Sequence, residues 1–497
     1  MFNNPFERKP PKWPWILLAF AILFLGSAWF LYHWLSSITP EQIVESPFVR
    51  EQVERQFGES GTELLEALPE LLGFSEPKTY LLLFLNNTEL RPGGGFIGSY
   101  AVVTLDKGNM QIDKMEGTER IDRDTPDSWR PVPPAILREQ LKVDRWYFRD
   151  SNWFPDFAES AKKGLELFTG EGGVKSGDID AVVGIDTTVL EEIMKKVGPI
   201  TIDGITFTAD DVTEKLEYEV EYGYDEKGIH FLERKKIMGP LMLELLARLK
   251  NDAWKRIDEY GAMVNTLASE KHIVVYSSSE SLKKMVDKKG WNGTMADTEG
   301  DYLLWADANL AALKTDHAIE RSLHYSLSRR PPAHESEVER YLASASMTYV
   351  HKGTFDWRTT RYRTYTRIFV PDGSELVTVM VNNGKNVKTF EPSSVDQGTE
   401  LGKKWFGVFV SIEPGNTGNI QFMYQLPDGI KELVEKGLYT LRIQKQIGTL
   451  APPLTLDLDF GKTITSANPG EAQEKWGDSI YELNTDLRVD RSFDVHF

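Results

Sequence analysis

The sequence predicts an α/β protein in three parts: an N-terminal transmembrane helix, a layered α/β domain and a C-terminal all-β sandwich. Three observations predict it. Trp13 to Leu35 carries no charged side chain over 23 positions. Residues 77–314 alternate strand and helix signals. From residue 315 onward the pattern turns to strands alone, with apolar and polar side chains alternating.

The apolar run is long enough to cross about 30 Å of hydrocarbon as a helix. Trp13, Trp15, Trp29, Tyr32 and Trp34 crowd its two ends, where amphipathic rings prefer the headgroup region. Arg8, Lys9 and Lys12 precede it and Glu41, Glu45 and Glu51 follow it, which predicts a cytoplasmic tail over 1–12 and a main body outside the cytoplasm. The run exceeds the apolar core of a signal peptide and no small-x-small site follows, so residues 13–35 are expected to remain as a single-pass anchor in the cell membrane, with the lipid bilayer as a partner. Residues 36–76 then read as a helical juxtamembrane stalk. Thr39, Pro40 and Gln42 open one helix, and Ser60 with Glu63 opens another in capping-box spacing.

In the α/β domain over 77–314, strands are predicted at Tyr80 to Leu85, Phe96 to Leu105, Ala181 to Ile185, Ile273 to Tyr276 and Tyr302 to Trp305. Helical spacing appears at 158–168, 188–197 and about 231–269, the last interrupted by Gly239-Pro240. Asp203-Gly204 predicts a hairpin turn. In the sandwich domain over 315–497, Leu454, Leu456, Leu458 and Phe460 face one way and Thr455, Asp457 and Asp459 the other. Further strands are predicted at 343–350, 362–370, 374–381, 417–425 and 438–447, separated by turn clusters such as Pro371-Asp372-Gly373.

A net charge of −18 and a pI near 5.1 repel a phosphate backbone, which excludes nucleic acid as a general partner. A local arginine cluster still binds an anion, because charges act over about 8 Å in physiological salt. Cysteine is absent, which removes disulfides, thiolate metal sites and cysteine nucleophiles. No phosphate-binding loop, nucleophile elbow, zinc-protease helix or dinucleotide fingerprint occurs.

Three segments combine residues that carry chemistry. Asn86-Asn87-Thr88-Glu89-Leu90-Arg91-Pro92-Gly93-Gly94-Gly95-Phe96 joins two apolar strands. Its glycines free backbone amides to face an anion and Arg91 offers a charged fork. The alternative is an irregular connection whose glycines only relieve backbone strain. Arg149-Asp150-Ser151-Asn152-Trp153-Phe154-Pro155-Asp156-Phe157 precedes a helix and mixes an arginine, acids and aromatics. It suits an anion together with a hard cation, or else a surface ion pair beside core aromatics. Arg234-Lys235-Lys236 opens the long helix, as a third cationic group or as a solvated face.

With these segments the chain resembles the bacterial domain-of-unknown-function family 4012, on Asn86 through Gly98 and Arg149 through Phe157. Asp180-Ala181-Val182-Val183-Gly184-Ile185-Asp186, Val197-Gly198-Pro199-Ile200, Asp307-Ala308-Asn309-Leu310 and Tyr362 through Pro371 also look like that family. That family in turn looks distantly similar to the LytR-CpsA-Psr proteins, anchored enzymes that move glycopolymers from a polyprenyl pyrophosphate carrier onto cell-wall glycan. The order of an early arginine, an Arg-Asp pair and a cationic helix start agrees. Glycines stand here where those relatives place an acid after the first arginine, and Phe231 stands where they place a first helix arginine.

The resemblance implies a glycopolymer phosphotransferase with Arg149 and Asp150 as catalytic residues. Arg91, Arg234, Asn86 and Asn87 would bind a polyprenyl-pyrophosphate-linked substrate, and Asp150 would hold Mg²⁺ or orient the attacking sugar hydroxyl. The competing expectation is a non-catalytic envelope scaffold or surface-binding protein.

Overall fold

A computed structural model describes residues 69–107, 109–252, 256–330 and 340–497, with positions 47, 51 and 55. The expected tail, the span over 13–35 and most of the stalk lie outside the described residues. Among the described residues no helix is long and apolar enough to cross a membrane.

The protein is a mixed α/β structure with several sheets and a β-rich C-terminal region. The described residues divide into two compact units, one drawn from 69–85, 97–129 and 161–292, the other from 86–96, 130–160, 293–330 and 340–497. Each has its own apolar core.

The first unit is built on β1 (Lys78–Asn86), β2 (Phe96–Asp106), β3 (Asn109–Gly117), β4 (Ile179–Asp186) and β7 (Ile273–Ser277), in the spatial order β3-β2-β1-β4-β7. β1 runs parallel to β4, with Leu82 opposite Val183, and both read as nearly unbroken apolar runs because helices cover the sheet. Helix Thr187–Val197 starts where the Asp186 carboxylate accepts the Thr188 amide at 3.0 Å and ends at Gly198. The small hairpin β5 (Ile200–Ile202) and β6 (Ile205–Phe207) turns at Asp203 and Gly204, whose φ values of 49° and 81° give the paired left-handed turn that such a dipeptide favours. The stretch from 231 is not one helix. A 3₁₀ segment covers Phe231–Ile237, an α-helix runs from Met238 to Asp252, and another from Ile257 to Ser269. Pro240 falls in the first turn of its helix, where its missing N–H costs nothing.

The second unit contains two seven-stranded sheets. One holds β9 (Ile319–Arg330), β10 (Arg340–His351), β12 (Glu375–Asn382), β13 (Val387–Phe390), β16 (Thr417–Gln425), β18 (Pro453–Asp459) and β20 (Ile480–Asp486), in the order β13-β12-β16-β10-β9-β18-β20. The other holds β8 (Asp301–Asn309), β11 (Tyr362–Pro371), β14 (Asp396–Glu400), β15 (Lys403–Ile412), β17 (Leu438–Gln444), β19 (Ser466–Asn468) and β21 (Arg491–His496), in the order β14-β15-β11-β8-β17-β21-β19. Both send side chains into one apolar cluster, and β10 alternates buried and partly exposed positions along its length as a half-covered strand must. A helix, Asp428–Glu435, interrupts a region expected to be strands alone; Ile430 and Val434 face inward from it.

Strand β8 behaves differently, with all nine residues buried. Its odd positions place Leu303 and Trp305 in the main core, while Tyr302, Leu304 and Ala306 form a second apolar cluster with Phe369. By the same period of two, Asp301, Asp307 and Asn309 share the phase of the core side chains. Burial of three polar groups there demands partners.

Candidate functional site

Arg91, Arg149 and Asp150 come together in the second unit. Asp150 sits in a single 3₁₀ turn, Phe148–Asp150, and is buried. Its Oδ1 lies 3.5 Å from Arg91 Nη2, and its Oδ2 lies 3.6 Å from Arg149 Nε. Arg149 is partly exposed and its guanidinium lies over the Tyr147 ring, 4.7 Å from the centroid.

Arg91 is 2% exposed. Its Nη1 donates to the carbonyls of Asn309 and Leu90, and its Nη2 faces Glu89 at 3.2 Å as well as Asp150. Its Nε–H is buried with no partner among the described residues. Burial pushes the Glu89 carboxyl up, and the Arg91 charge works against that. The main chain of Arg91 is fixed as well, because Gln446 Nε2 donates to its carbonyl at 3.1 Å and to that of Asp307 at 2.8 Å.

The glycines serve close approach within the protein. The Gly93 amide donates to the Asn152 carbonyl at 3.0 Å, and Asn152 Nδ2 donates to the Gly95 carbonyl. A Cβ on Gly93 would stand 2.9 Å from both Asn152 Cβ and Ser160 Oγ. Asn86 closes a local turn, accepting from the Thr88 amide at 3.0 Å and its hydroxyl at 2.6 Å. Asn87 Nδ2 donates to the Gly448 carbonyl at 3.1 Å.

Behind the loop lies a buried ionic network that the sequence reading did not single out. Asp316 Oδ2 accepts the Leu90 amide at 3.0 Å and Asn309 Nδ2 at 2.8 Å, while its Oδ1 meets Arg321 Nη2. Arg321 Nε donates to Asp307 Oδ2 at 3.0 Å. Asp307 Oδ1 accepts from Tyr349 at 2.8 Å, Thr366 at 2.7 Å and Trp305 Nε1 at 3.2 Å. Burial opposes the charge on Arg321, but Tyr362, Asp316 and Asp307 outweigh it and hold the guanidinium firmly protonated. The sequence signal for this network was a carboxylate, Asp307, recurring in step with Leu303 and Trp305 along an apolar strand.

The second loop is held on the opposite face of the same sheet. Tyr365, Arg367 and Phe369 alternate with the core-facing Thr366 and Ile368 of β11. Trp153 stacks on Tyr365 with centroids 6.0 Å apart, and the Arg367 guanidinium lies 4.8 Å from the Trp153 centroid and 5.7 Å from that of Trp405. Arg367 also donates to the Trp153 carbonyl at 2.8 Å and meets Glu400 at 3.3 Å. Asp156 caps the following helix, accepting the Glu159 amide at 3.1 Å and the Met295 amide at 2.8 Å.

Arg234 belongs to the first unit. There it pairs with Glu221 at 3.0 Å, stands 3.7 Å from Glu119 and lies over the Phe231 ring. Lys235 donates to the Gly98 carbonyl and to Glu119 at 2.7 Å, and burial pulls its ammonium group down. Mg²⁺ at Asp150 does not fit these surroundings. Each carboxylate oxygen already faces a guanidinium, and among the described residues no group of three or more His, Asp or Glu side chains could hold a metal ion.

No curated protein matches the chain. Solved structures give weak likenesses. A candidate nutrient-binding protein of Legionella pneumophila is 9% identical, with a TM-score of 0.26 over 40% of this chain and 71% of its own. The transcriptional regulator yvhJ of Bacillus subtilis is 17% identical, with a TM-score of 0.21 over 44% of this chain and 78% of its own. An M1 zinc metallopeptidase of Deinococcus radiodurans is 11% identical, with a TM-score of 0.15 over 36% and 42%. Scores this low carry no argument. Residues 75–221, which hold both the glycine-rich and the Arg-Asp loops, match the family model described as a protein of unknown function, DUF4012.

Proposed function

We propose that the chain is a membrane-anchored envelope protein that acts by binding, as a scaffold or surface receptor, and that its glycine-rich and Arg-Asp loops are structural keys rather than a transfer site. The observation behind this reading is Arg91: a 2% exposed guanidinium whose Nη groups are engaged inside the protein. A clamp for pyrophosphate needs donors that meet the ligand, and donors already satisfied by Glu89, Asp150 and the Asn309 carbonyl would have to give those partners up. Anchoring rests on the sequence alone, on the uncharged run from Trp13 to Leu35 and the charge asymmetry around it.

A LytR-CpsA-Psr-like phosphotransferase is the second reading. Arg149 favours it, since this arginine reaches the surface while touching Asp150. Under that reading Arg149 would meet the pyrophosphate of a polyprenyl-linked glycopolymer and Asp150 would orient the attacking hydroxyl of cell-wall glycan.

The deciding experiment is binding of polyprenyl pyrophosphate to the full-length chain, against neutral polyprenol as control, in wild type and Arg149→Ala. The scaffold reading expects no pyrophosphate-dependent binding. Saturable binding that needs the pyrophosphate and is lost in the variant would overturn it in favour of the transferase.

A further inference from the structure

A cavity of about 190 Å³ opens in the second unit where the edge strand β19 meets the loop leading to β20. It lies among residues that neither loop motif includes. Trp476 lines it with two-thirds of its surface exposed, an unusual state for the largest apolar side chain. The ring is fixed: its Nε1–H donates to the Glu471 carbonyl at 3.0 Å, so the indole presents its face rather than its donor.

The remaining walls mix polar and apolar groups. The Glu471 carboxylate is oriented through Oε1, which accepts the Glu482 amide at 2.7 Å. Burial pushes this carboxyl up, with Asp478 and Glu482 adding to the effect. Ile464 and Ala467 supply apolar surface. The Ser466 and Thr465 hydroxyls have no hydrogen-bond partner among the described residues, and the Thr465 amide is pinned to the His496 carbonyl at 2.8 Å.

Size and charge select among ligands. A volume of 190 Å³ is about six times the roughly 30 Å³ share of a water molecule, room for one six-membered ring and too little for a long hydrocarbon chain. The charges acting on Glu471 are Asp478, Glu482 and Lys475, and Lys475 is itself paired with Glu482, so the local balance is negative and disfavours phosphate and carboxylate ligands. An aromatic face beside a carboxylate and hydroxyls suits a ring with apolar C–H faces and hydroxyls at its rim.

We propose that this cavity binds one uncharged sugar ring of a glycan, stacked on Trp476 and hydrogen-bonded by Glu471. The proposal goes beyond the scaffold reading and does not depend on it, since a transferase could carry the same pocket.

Calorimetric titration of the full-length protein with cellotetraose and chitotetraose tests it, with glucose and glucose 6-phosphate compared separately. One tetrasaccharide is expected to bind with a Kd on the order of a millimolar, as single-ring sites do, and Trp476→Ala to weaken it about tenfold. Trp476→Phe should retain part of the affinity and Glu471→Gln should lower it, while the unfolding midpoint of Trp476→Ala stays unchanged because that side chain is two-thirds exposed. No heat from either tetrasaccharide at about ten times that concentration, or equal binding by Trp476→Ala, overturns the proposal. So does glucose 6-phosphate binding as tightly as glucose. Self-association lost in Trp476→Ala without sugar binding would reassign the indole to a contact between copies.

Discussion

Arg321 Nε donates to Asp307 Oδ2 at 3.0 Å in a part of the second unit where the Asp307 side chain is 1% exposed. Two opposite charges so enclosed stabilise only as a complete set, because each alone bears its full desolvation cost. Asp307→Ala should therefore lower the unfolding free energy by about 3–5 kcal/mol, read from urea or thermal unfolding. A loss below about 1 kcal/mol would mean that water reaches the pair.

Arg91 and Arg149 touch the same carboxylate and should respond unequally to truncation. Arg91→Ala leaves Glu89 and Asp150 facing each other without their shared cation, and should cost about 3–5 kcal/mol. Arg149→Ala removes a partly exposed cation–π contact with Tyr147 and should cost less than about 1 kcal/mol. Equal losses would show that Asp150 depends on both.

Gly93 is constrained by neighbours. A methyl group there would lie 2.9 Å from Asn152 Cβ, so Gly93→Ala must push the glycine-rich loop away from the Arg-Asp loop. We expect about 1–3 kcal/mol of destabilisation, the range for overpacking, measured by chemical unfolding.

Asp301 gives a pH signature. It is fully enclosed, and burial pushes its carboxyl up to about 6, although Tyr325 and Tyr439 donate to it at 2.5 and 2.6 Å. The folded state then binds this proton more tightly than the unfolded chain, whose aspartate titrates near 3.9. The contribution is fully present below about pH 4, falls as pH rises through about 6, and amounts to roughly 3 kcal/mol at 1.36 kcal/mol per unit. Asp301→Asn should remove that slope from stability measured between pH 4 and 7. An unchanged slope would assign it to other carboxyls.

Much of the local structure was legible. Alternation along Leu454 to Phe460 marked a half-covered strand, now β18, and Asp203-Gly204 marked its hairpin, because each signal lies within a few residues of chain. Strand β3 escaped notice because its sequence, NMQIDKMEG, carries little apolar alternation. Strand β9 was also missed, its run IERSLHYSLSRR being rich in polar side chains.

The sequence by itself determined the acidic balance, the absence of thiol chemistry, the uncharged N-terminal run and the family motif. Only the tertiary structure decided what that motif does. Leu90 bonds to Asp316 across 226 positions, Arg91 to Asn309 across 218 and Gln446 to Arg91 across 355. Arg234, grouped by sequence order with the other arginines, belongs to the other compact unit. An arginine in a polar loop reads the same whether its fork meets a ligand or the protein's own carboxylates. The difference lies in partners brought in from distant strands, and local pattern holds no record of them.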